Sequence, residues 1–545
     1  MGQNMVGWVR LRAQGPSGTK VVLRFAETLK ADGTIYTDNL RRARATDTYI
    51  LKGNNEENWE PKFTYHGFRY VEISGFPGVP SKDAILGKVV HSAAPPTIAF
   101  NCSNELINRI QKNIVWGQRG NMHSVPTDCP QRDERLGWMG DAQIFAPTAS
   151  YNMNMARFWR KWVRDIADCQ EEDGSVHDVN PAIVVRGPAK PGWGDAVVAV
   201  PWVTYHFYGD KRIIEENFDA MAGWVRYMEN NSKDYLYERT GYGDWISVVP
   251  SPKEPIGAAY FYYSTKLLSE MAGIIGRNDD QIKYLHLSEK IAAAFQKKYY
   301  NPQTGQYTGE TQTANLLPLA FGITPPSERQ RVADNIAGNV RDRGKHPSTG
   351  FLGTSYLLPV LSQYGAHPLA YETASQTTYP SWGYMVEKGA TTMWELWNSD
   401  VAGPGMNSRN HFALGCVGEW FYSRLAGIYP DPNFPGFKQF IIAPKPAGDL
   451  TFTEMQLETG YGRISSRWQI ADSTFTLDVT IPANTSALVY LPSPEGKKAT
   501  IAANGVTILV DGTMGKMSEG LTVLSKTDTE TGIRAGAGQY HFVVK

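Results

Sequence analysis

The stretch NELINRIQKNIVWGQRGNM, residues 104–122, brings apolar side chains back at helical spacing, with Ile107, Ile110 and Ile114 on one face. Before it lies a different pattern. VGWVRLRA (6–13), KVVLRFAETL (20–29), TDTYILKG (46–53), FRYVEISGF (68–76) and AILGKVVHSA (84–93) are β-branched or aromatic runs separated by Gly, Pro, Asn and Asp turns. Pro95-Pro96 punctuates the change. After it the helical period continues in NMARFWRKWVRDIADCQ (154–170), KRIIEENFDAMAGWVRYMENN (211–231), AYFYYSTKLLSEMAGIIG (259–276), SEKIAAAFQKKYY (288–300), ERQRVADNIAGNVRDR (328–343) and VGEWFYSRLAGI (417–428). No strand alternates with these helices, which disfavours a parallel α/β barrel. About ten to twelve helices in pairs, joined by long Gly- and Pro-rich loops, predict an all-α toroid with its site at the loop end. From 431 the chain turns β again, in FKQFIIAPKP (437–446), STFTLDVTI (473–481), SALVYLP (486–492) and YHFVVK (540–545). The expected division is 1–96 β, 97–430 helical and 431–545 β, in line with the three domains that 545 residues suggest.

Lys+Arg and Asp+Glu both number 54, so the formal charge is zero. No basic surplus exists for a phosphate backbone, and nucleic acid is not an expected partner. No run of about 18 apolar residues occurs, so no membrane span is expected. The cysteines (Cys102, Cys129, Cys169, Cys416) have no C-x-x-C pair and no metal-ligand spacing to a histidine. That favours free thiols and a cytoplasmic protein, as does MGQNMVGWVRLRA, which has no charged n-region or apolar h-region. The chain opens abruptly on a strand-like run, as one with residues removed upstream would. A homodimer is left open.

Charge concentrates in SVPTDCPQRDERLGWMGDAQ, residues 124–143. If the backbone is helical from Glu134, then Glu134, Trp138 and Asp141 share a face at i, i+4 and i+7. Apolar contact with the indole would raise a carboxyl toward acid chemistry near neutrality. The alternative is a capped loop with surface salt bridges. In YPSWGYMVEKGATTMWELWNSD (379–400), Glu395 lies between Trp394 and Trp397 with no basic neighbour. Such a carboxylate is costly to desolvate without a role or a partner, unless it is a helix-surface Glu. PGWGDAV holds Trp193 and Asp195, and GYGDWIS holds Asp244 and Trp245. Both are Gly-Asp steps beside a tryptophan, either site loops or turns with a packing ring. His411, in SRNHFALG, reads on its own as a satisfied core histidine. No G-x-S-x-G, H-E-x-x-H, P-loop or dinucleotide fingerprint appears. Carboxylates are left as the catalytic groups, with no cofactor and no metal, and paired carboxylates among tryptophans point to glycoside hydrolysis.

TDCPQRDERLGWMGDAQ (127–143), GWGDA (192–196), GDW (243–245), GATTMWELWNS (389–399) and SRNHFALG (408–415) resemble the bacterial α-L-rhamnosidases of glycoside hydrolase family 78. FTYHGFRYVEISGFPG (63–78) and GQNMVGWVRL (2–11) resemble that family too. The resemblance implies a central (α/α)6 barrel flanked by antiparallel β-sandwich domains, and inverting hydrolysis of terminal α-L-rhamnose. It makes Glu134 the general acid and Glu395 the general base. Asp128, Arg132 and Asp141 become polar contacts to the sugar and Trp138, Trp193 and Trp245 its apolar walls. Asp195, Asp244, Trp394 and His411 join the substrate contacts. Rhamnose-containing glycosides or oligosaccharides are the implied substrates. Larger members carry further β-domains and a calcium-dependent module, which this chain is expected to lack. Two rivals remain: another barrel enzyme, such as a glycoside phosphorylase or unsaturated-uronide hydrolase, and a non-catalytic sugar-binding protein.

Overall fold

The computed structural model describes residues 1–53, 55–405, 407–493, 499–510, 513–515, 519–527 and 529–545. The N-terminal β segment is built on two larger antiparallel sheets, with a small two-stranded one at Thr28–Leu29 and Ile35–Tyr36. Met5–Ala13 pairs with Glu57–Trp59, His66–Phe68 and Ile85–Val89, while Lys20–Ala26 pairs with Thr46–Ile50 and Tyr70–Ser74. Alternation sends Val9 and Leu11 from one sheet, and Val21, Leu23 and Phe25 from the other, into one core. Each is fully buried, and burial of such a side chain contributes about 1.5–3 kcal/mol.

Twelve helices follow among the described residues: α1 Glu105–Asn121, α2 Met139–Asn152, α3 Ala156–Asp168, α4 Ala196–Tyr208, α5 Arg212–Asn230, α6 Lys253–Ile274, α7 Asn278–Tyr299, α8 Gln312–Phe321, α9 Arg329–Asp342, α10 Phe351–Gln363, α11 His367–Ala374 and α12 Trp382–Glu387. A last helical segment spans 413–425. Asn104 starts α1, its Oδ1 accepting from the backbone N–H groups of Leu106 and Ile107. From α2 onward the helices alternate in character. α3, α5, α7 and α9 bury one stripe, for example Trp159, Trp162, Val163 and Ile166 of α3. α2, α4, α6, α8 and α10 are buried on most sides. These inner helices touch in sequence, α2 on α4, α4 on α6, α6 on α8 and α8 on α10. The 413–425 segment packs on α10 and back onto α2, which closes the ring. No helix among the described residues is long and apolar enough to cross a membrane.

The C-terminal segment forms an eight-stranded and a five-stranded sheet. Two expectations need correction here. Residues 98–102, assigned from sequence to the helical part, form a strand that pairs with Phe452–Thr459 and so belongs to the eight-stranded sheet. The β segment is also not wholly antiparallel, because Gln439–Ile442 runs parallel to Ser486–Pro492. A parallel pair needs a long crossover, and the strands 452–481 supply it from within the other sheet.

Candidate active site

A cavity of about 140 Å³ opens among the loops at one end of the helix ring. That is well below the several hundred Å³ typical of drug-sized ligands and suits one small ring. It is lined by the aromatic rings of Trp138, Trp193, Tyr242, Trp245 and Phe351 and by the polar groups of Asp128, Arg132, Glu134, Asp141, Glu395 and His411. Each lies on a segment leading into the N-terminus of an inner helix, or in that helix's first turn.

The loop before α2 carries three of the charged groups. Asp128 closes it, donating from its N–H to the Leu136 carbonyl (3.0 Å) and accepting from the Leu136 N–H at Oδ1 (2.9 Å). Arg135, at φ 55°, turns the chain between them. This loop replaces the helix that the Glu134–Trp138–Asp141 spacing invoked, since α2 begins only at Met139. Glu134 and Trp138 meet all the same, with indole Nε1 donating to Glu134 Oε1 at 3.0 Å. The indole therefore meets the carboxylate with its N–H, not its apolar face. Asp141 falls in the first turn of α2. The glycine before it is required by packing, because a Cβ on Gly140 would stand 2.4 Å from Trp193.

Arg132 holds the centre. Its side chain is 1% exposed, and its terminal nitrogens reach Glu134 Oε2 (2.9 Å), Glu395 Oε2 (3.0 Å) and Asp128 Oδ2 (3.5 Å). The carboxylate that has no basic neighbour in sequence thus finds its cation 263 positions away. Glu395 is anchored further by the Ser408 N–H at 3.1 Å. Burial, then the neighbouring Glu134 charge, push the Asp128 carboxyl up, although Arg132 and His411 pull it back.

His411 Nε2 lies 3.0 Å from Asp141 Oδ1, with both side chains buried. Burial pulls the imidazole down. The Asp141 hydrogen bond, with the charges of Asp141, Glu395 and Asp128, outweighs it and raises the group above its ordinary value. The pair's contribution to stability is therefore fully present below about pH 6.5 and is lost as pH climbs through the raised value. Melting temperature should decline across that window in the wild type, and His411→Gln should remove that component of the decline. Parallel profiles for the two proteins would reject the pairing.

Three expected contacts do not reach the cavity. Asp195 is buried, accepting from Gly192 N–H, Trp224 Nε1 and Ser264 Oγ. Asp244 accepts from Gly350 N–H (2.7 Å), Gly353 N–H (3.0 Å) and the Thr313 hydroxyl. Both carboxylates are consumed in holding turns, Asp244 at the start of α10, where Phe351 sits. Trp394 is buried beneath the Arg409 guanidinium, 5.3 Å from its ring centroid. Conversely, Tyr242 and Phe351 line the cavity without having been singled out from the sequence. Tyr242 packs against Trp138, Trp193 and Trp245, and donates to Asp178 Oδ2 at 2.9 Å. It stands inside GYGDWIS, beside the Gly-Asp step, whereas Phe351 has no local signal.

Trp245 is half-buried at the cavity while Trp193 is 3% exposed, so their alanine variants should differ. Trp245→Ala is expected to raise KM with an unchanged melting temperature. Trp193→Ala should raise KM and also destabilise by about 3–5 kcal/mol, as loss of a buried aromatic does. Melts with and without sugar separate the two effects, and unchanged sugar affinity in both would remove these rings from the binding wall.

Asp128, Cys129 and Glu134 come close enough together to share a metal ion. The Arg132 guanidinium already bonds both carboxylates. Burial, then the Asp128 charge, hold the Cys129 thiol well above its ordinary value, so it is not a ready thiolate ligand.

Residues 95–425, which contain this whole cavity, match the model of the bacterial alpha-L-rhamnosidase 6 hairpin glycosidase domain. The chain belongs to the bacterial α-L-rhamnosidase family. Residues 1–91 match the concanavalin-like domain of the same rhamnosidases and 427–505 their C-terminal domain. An α-L-rhamnosidase of Streptomyces avermitilis is 47% identical over 499 residues, covering 90% of this chain and 48% of the relative. One from Formosa agariphila is 38% identical over 558 residues, covering 100% of this chain and 59% of the relative. The chain thus spans about half the length of these rhamnosidases. The crystal structure of the Streptomyces avermitilis α-L-rhamnosidase complexed with L-rhamnose superposes with a TM-score of 0.94 at 44% identity, covering all of this chain and 51% of that one. An α-L-rhamnosidase from Dictyoglomus thermophilum gives 0.94 at 39% identity, covering 100% of this chain and 61% of that one.

Proposed function

We propose that this chain is an α-L-rhamnosidase that removes terminal non-reducing α-L-rhamnose from glycosides with inversion, Glu134 acting as general acid and Glu395 as general base. The observation that carries the reading is one monosaccharide-sized cavity lined both by aromatic rings and by four carboxylates, three of them around Arg132 and the fourth, Asp141, on His411. Rhamnose has a methyl group where most hexoses have a hydroxymethyl, and an aromatic wall suits it. The rhamnose complex of the Streptomyces avermitilis relative supports the choice of sugar. In the reaction Glu134 gives a proton to the glycosidic oxygen as the C1–O bond breaks, and Glu395 takes one from the water whose oxygen bonds C1. Arg132 touches both groups, so one partner loses negative charge as the other gains it and the charge around the guanidinium stays constant. Asp128 and Asp141 supply negative potential to the oxocarbenium-like transition state.

The architecture that goes with this reading is an (α/α)6 barrel, residues 97–430, between β-sandwich domains at 1–96 and 431–545. The closed ring of inner helices supports it, with the strand 98–102 lent to the C-terminal sheet.

Release of p-nitrophenol from p-nitrophenyl α-L-rhamnoside is the test. Release without added phosphate is expected. Release only with phosphate would replace hydrolysis by phosphorolysis. Binding without turnover would make the protein a sugar binder.

A further inference from the structure

Glu134 has three polar partners, and one of them comes from outside the helical domain. Oε1 accepts a hydrogen bond from Trp138 Nε1, Oε2 accepts one from Arg41 Nη1 at 3.0 Å, and Arg132 Nη2 forms an ion pair with Oε2 at 2.9 Å. Arg41 belongs to the N-terminal β segment, 93 positions earlier in the chain. Its backbone sits at φ 56°, ψ −116°, a conformation that an L residue keeps only where its surroundings enforce it. Those surroundings are visible. Arg41 Nε donates to the Gly405 carbonyl at 2.8 Å, which ties it to the loop between Glu395 and His411. Its neighbour Arg42 pairs with Asp133 at 3.1 Å. The guanidinium is thereby fixed at its root and aimed at one oxygen of the carboxyl group.

We propose that Arg41 is a positioning residue for the acid: with Arg132 it sets two guanidinium charges against Glu134 Oε2 and so confines the transferable proton to Oε1. Each carboxylate oxygen offers two lone pairs. Oε1 gives one to Trp138 and keeps the other for the proton. Without Arg41, Oε2 loses its hydrogen-bond donor and one of its two facing charges, and the proton can settle there instead of on Oε1. The N-terminal sheets are then part of the catalytic apparatus. This inference rests on the reading of Glu134 as general acid.

The test compares Arg41→Ala, Arg41→Gln and wild type on two substrates: a rhamnosyl disaccharide, whose leaving oxygen needs the proton, and 2,4-dinitrophenyl α-L-rhamnoside, which does not. Arg41→Ala should lose on the order of tenfold or more in kcat on the disaccharide and little on the activated aryl substrate. Guanidinium chloride at millimolar concentration should restore part of the loss in Arg41→Ala and none in the wild type. Affinity for free rhamnose should be unchanged. Arg41→Gln, which preserves most of the side chain, covers the case in which the alanine variant does not fold. Equal losses on both substrates without guanidinium rescue, or no loss at all, would overturn the positioning role. A wild type inactive on both substrates would instead overturn the functional reading beneath it.

Discussion

Glu134→Gln is expected to lower kcat by about 10²–10⁴ on rhamnosides with poor leaving groups, the usual worth of a positioned general acid. On activated aryl rhamnosides the loss should be far smaller, because a nitrophenolate departs with little protonation. The contrast between substrates matters more than either value. Glu134 carries two guanidinium contacts and an indole N–H, so its replacement disturbs packing as well as proton transfer. An amide keeps the shape and one acceptor oxygen but has no proton to give at the required acidity. If the damage were purely structural, both substrate classes would suffer alike and the melting temperature would fall. Equal losses on the two classes would reject the acid assignment.

What the sequence made legible follows from how each element is buried. α3, α5, α7 and α9 pack one face and expose the other, so their 3.6-residue period shows in the chain. α4 (AVVAVPWVTYHFY), α8 (QTANLLPLAF) and α10 (FLGTSYLLPVLSQ) are covered on most sides. They carry no polar face to mark a period, so their residues do not declare a helix. The ring's inner layer was thus harder to see than its outer one. The same asymmetry runs through the site. Glu134, Trp138 and Asp141 declare themselves by local density of charge beside an indole, even though the helix invoked to align them is a loop. Asp195 and Asp244 share the Gly-Asp pattern of Asp141, yet hydrogen bonds from backbone N–H groups and hydroxyls absorb them. Sequence cannot tell a carboxylate that meets solvent from one that staples a turn. The partnership of Arg132 with Glu395 spans the whole helical segment and has no local trace, and neither does the reach of Arg41 to Glu134.

Glu395→Ala should cost about 10²–10⁴ in kcat on activated and unactivated substrates alike, since the attacking water must lose its proton whatever the leaving group. The variant also reports stereochemistry. A nucleophilic carboxylate would stand about 5–5.5 Å from the acid and yield a retained product, whereas a base acting through water needs about 6.5–9.5 Å. In the structure Glu134 and Glu395 reach different terminal nitrogens of one guanidinium, Nη2 and Nη1. The inverting reading requires the wider spacing, with room for a water between Glu395 and the sugar. On that reading the first product from an α-L-rhamnoside should be β-L-rhamnose, seen by proton NMR before mutarotation. In Glu395→Ala, azide fits the space vacated by the carboxylate and needs no deprotonation, so rescue should give a β-rhamnosyl azide. Early α-L-rhamnose from the wild type would make Glu395 a nucleophile and overturn the inverting mechanism, whereas an α-azide from the variant would show that Glu395 does not face C1 from the side opposite the leaving group.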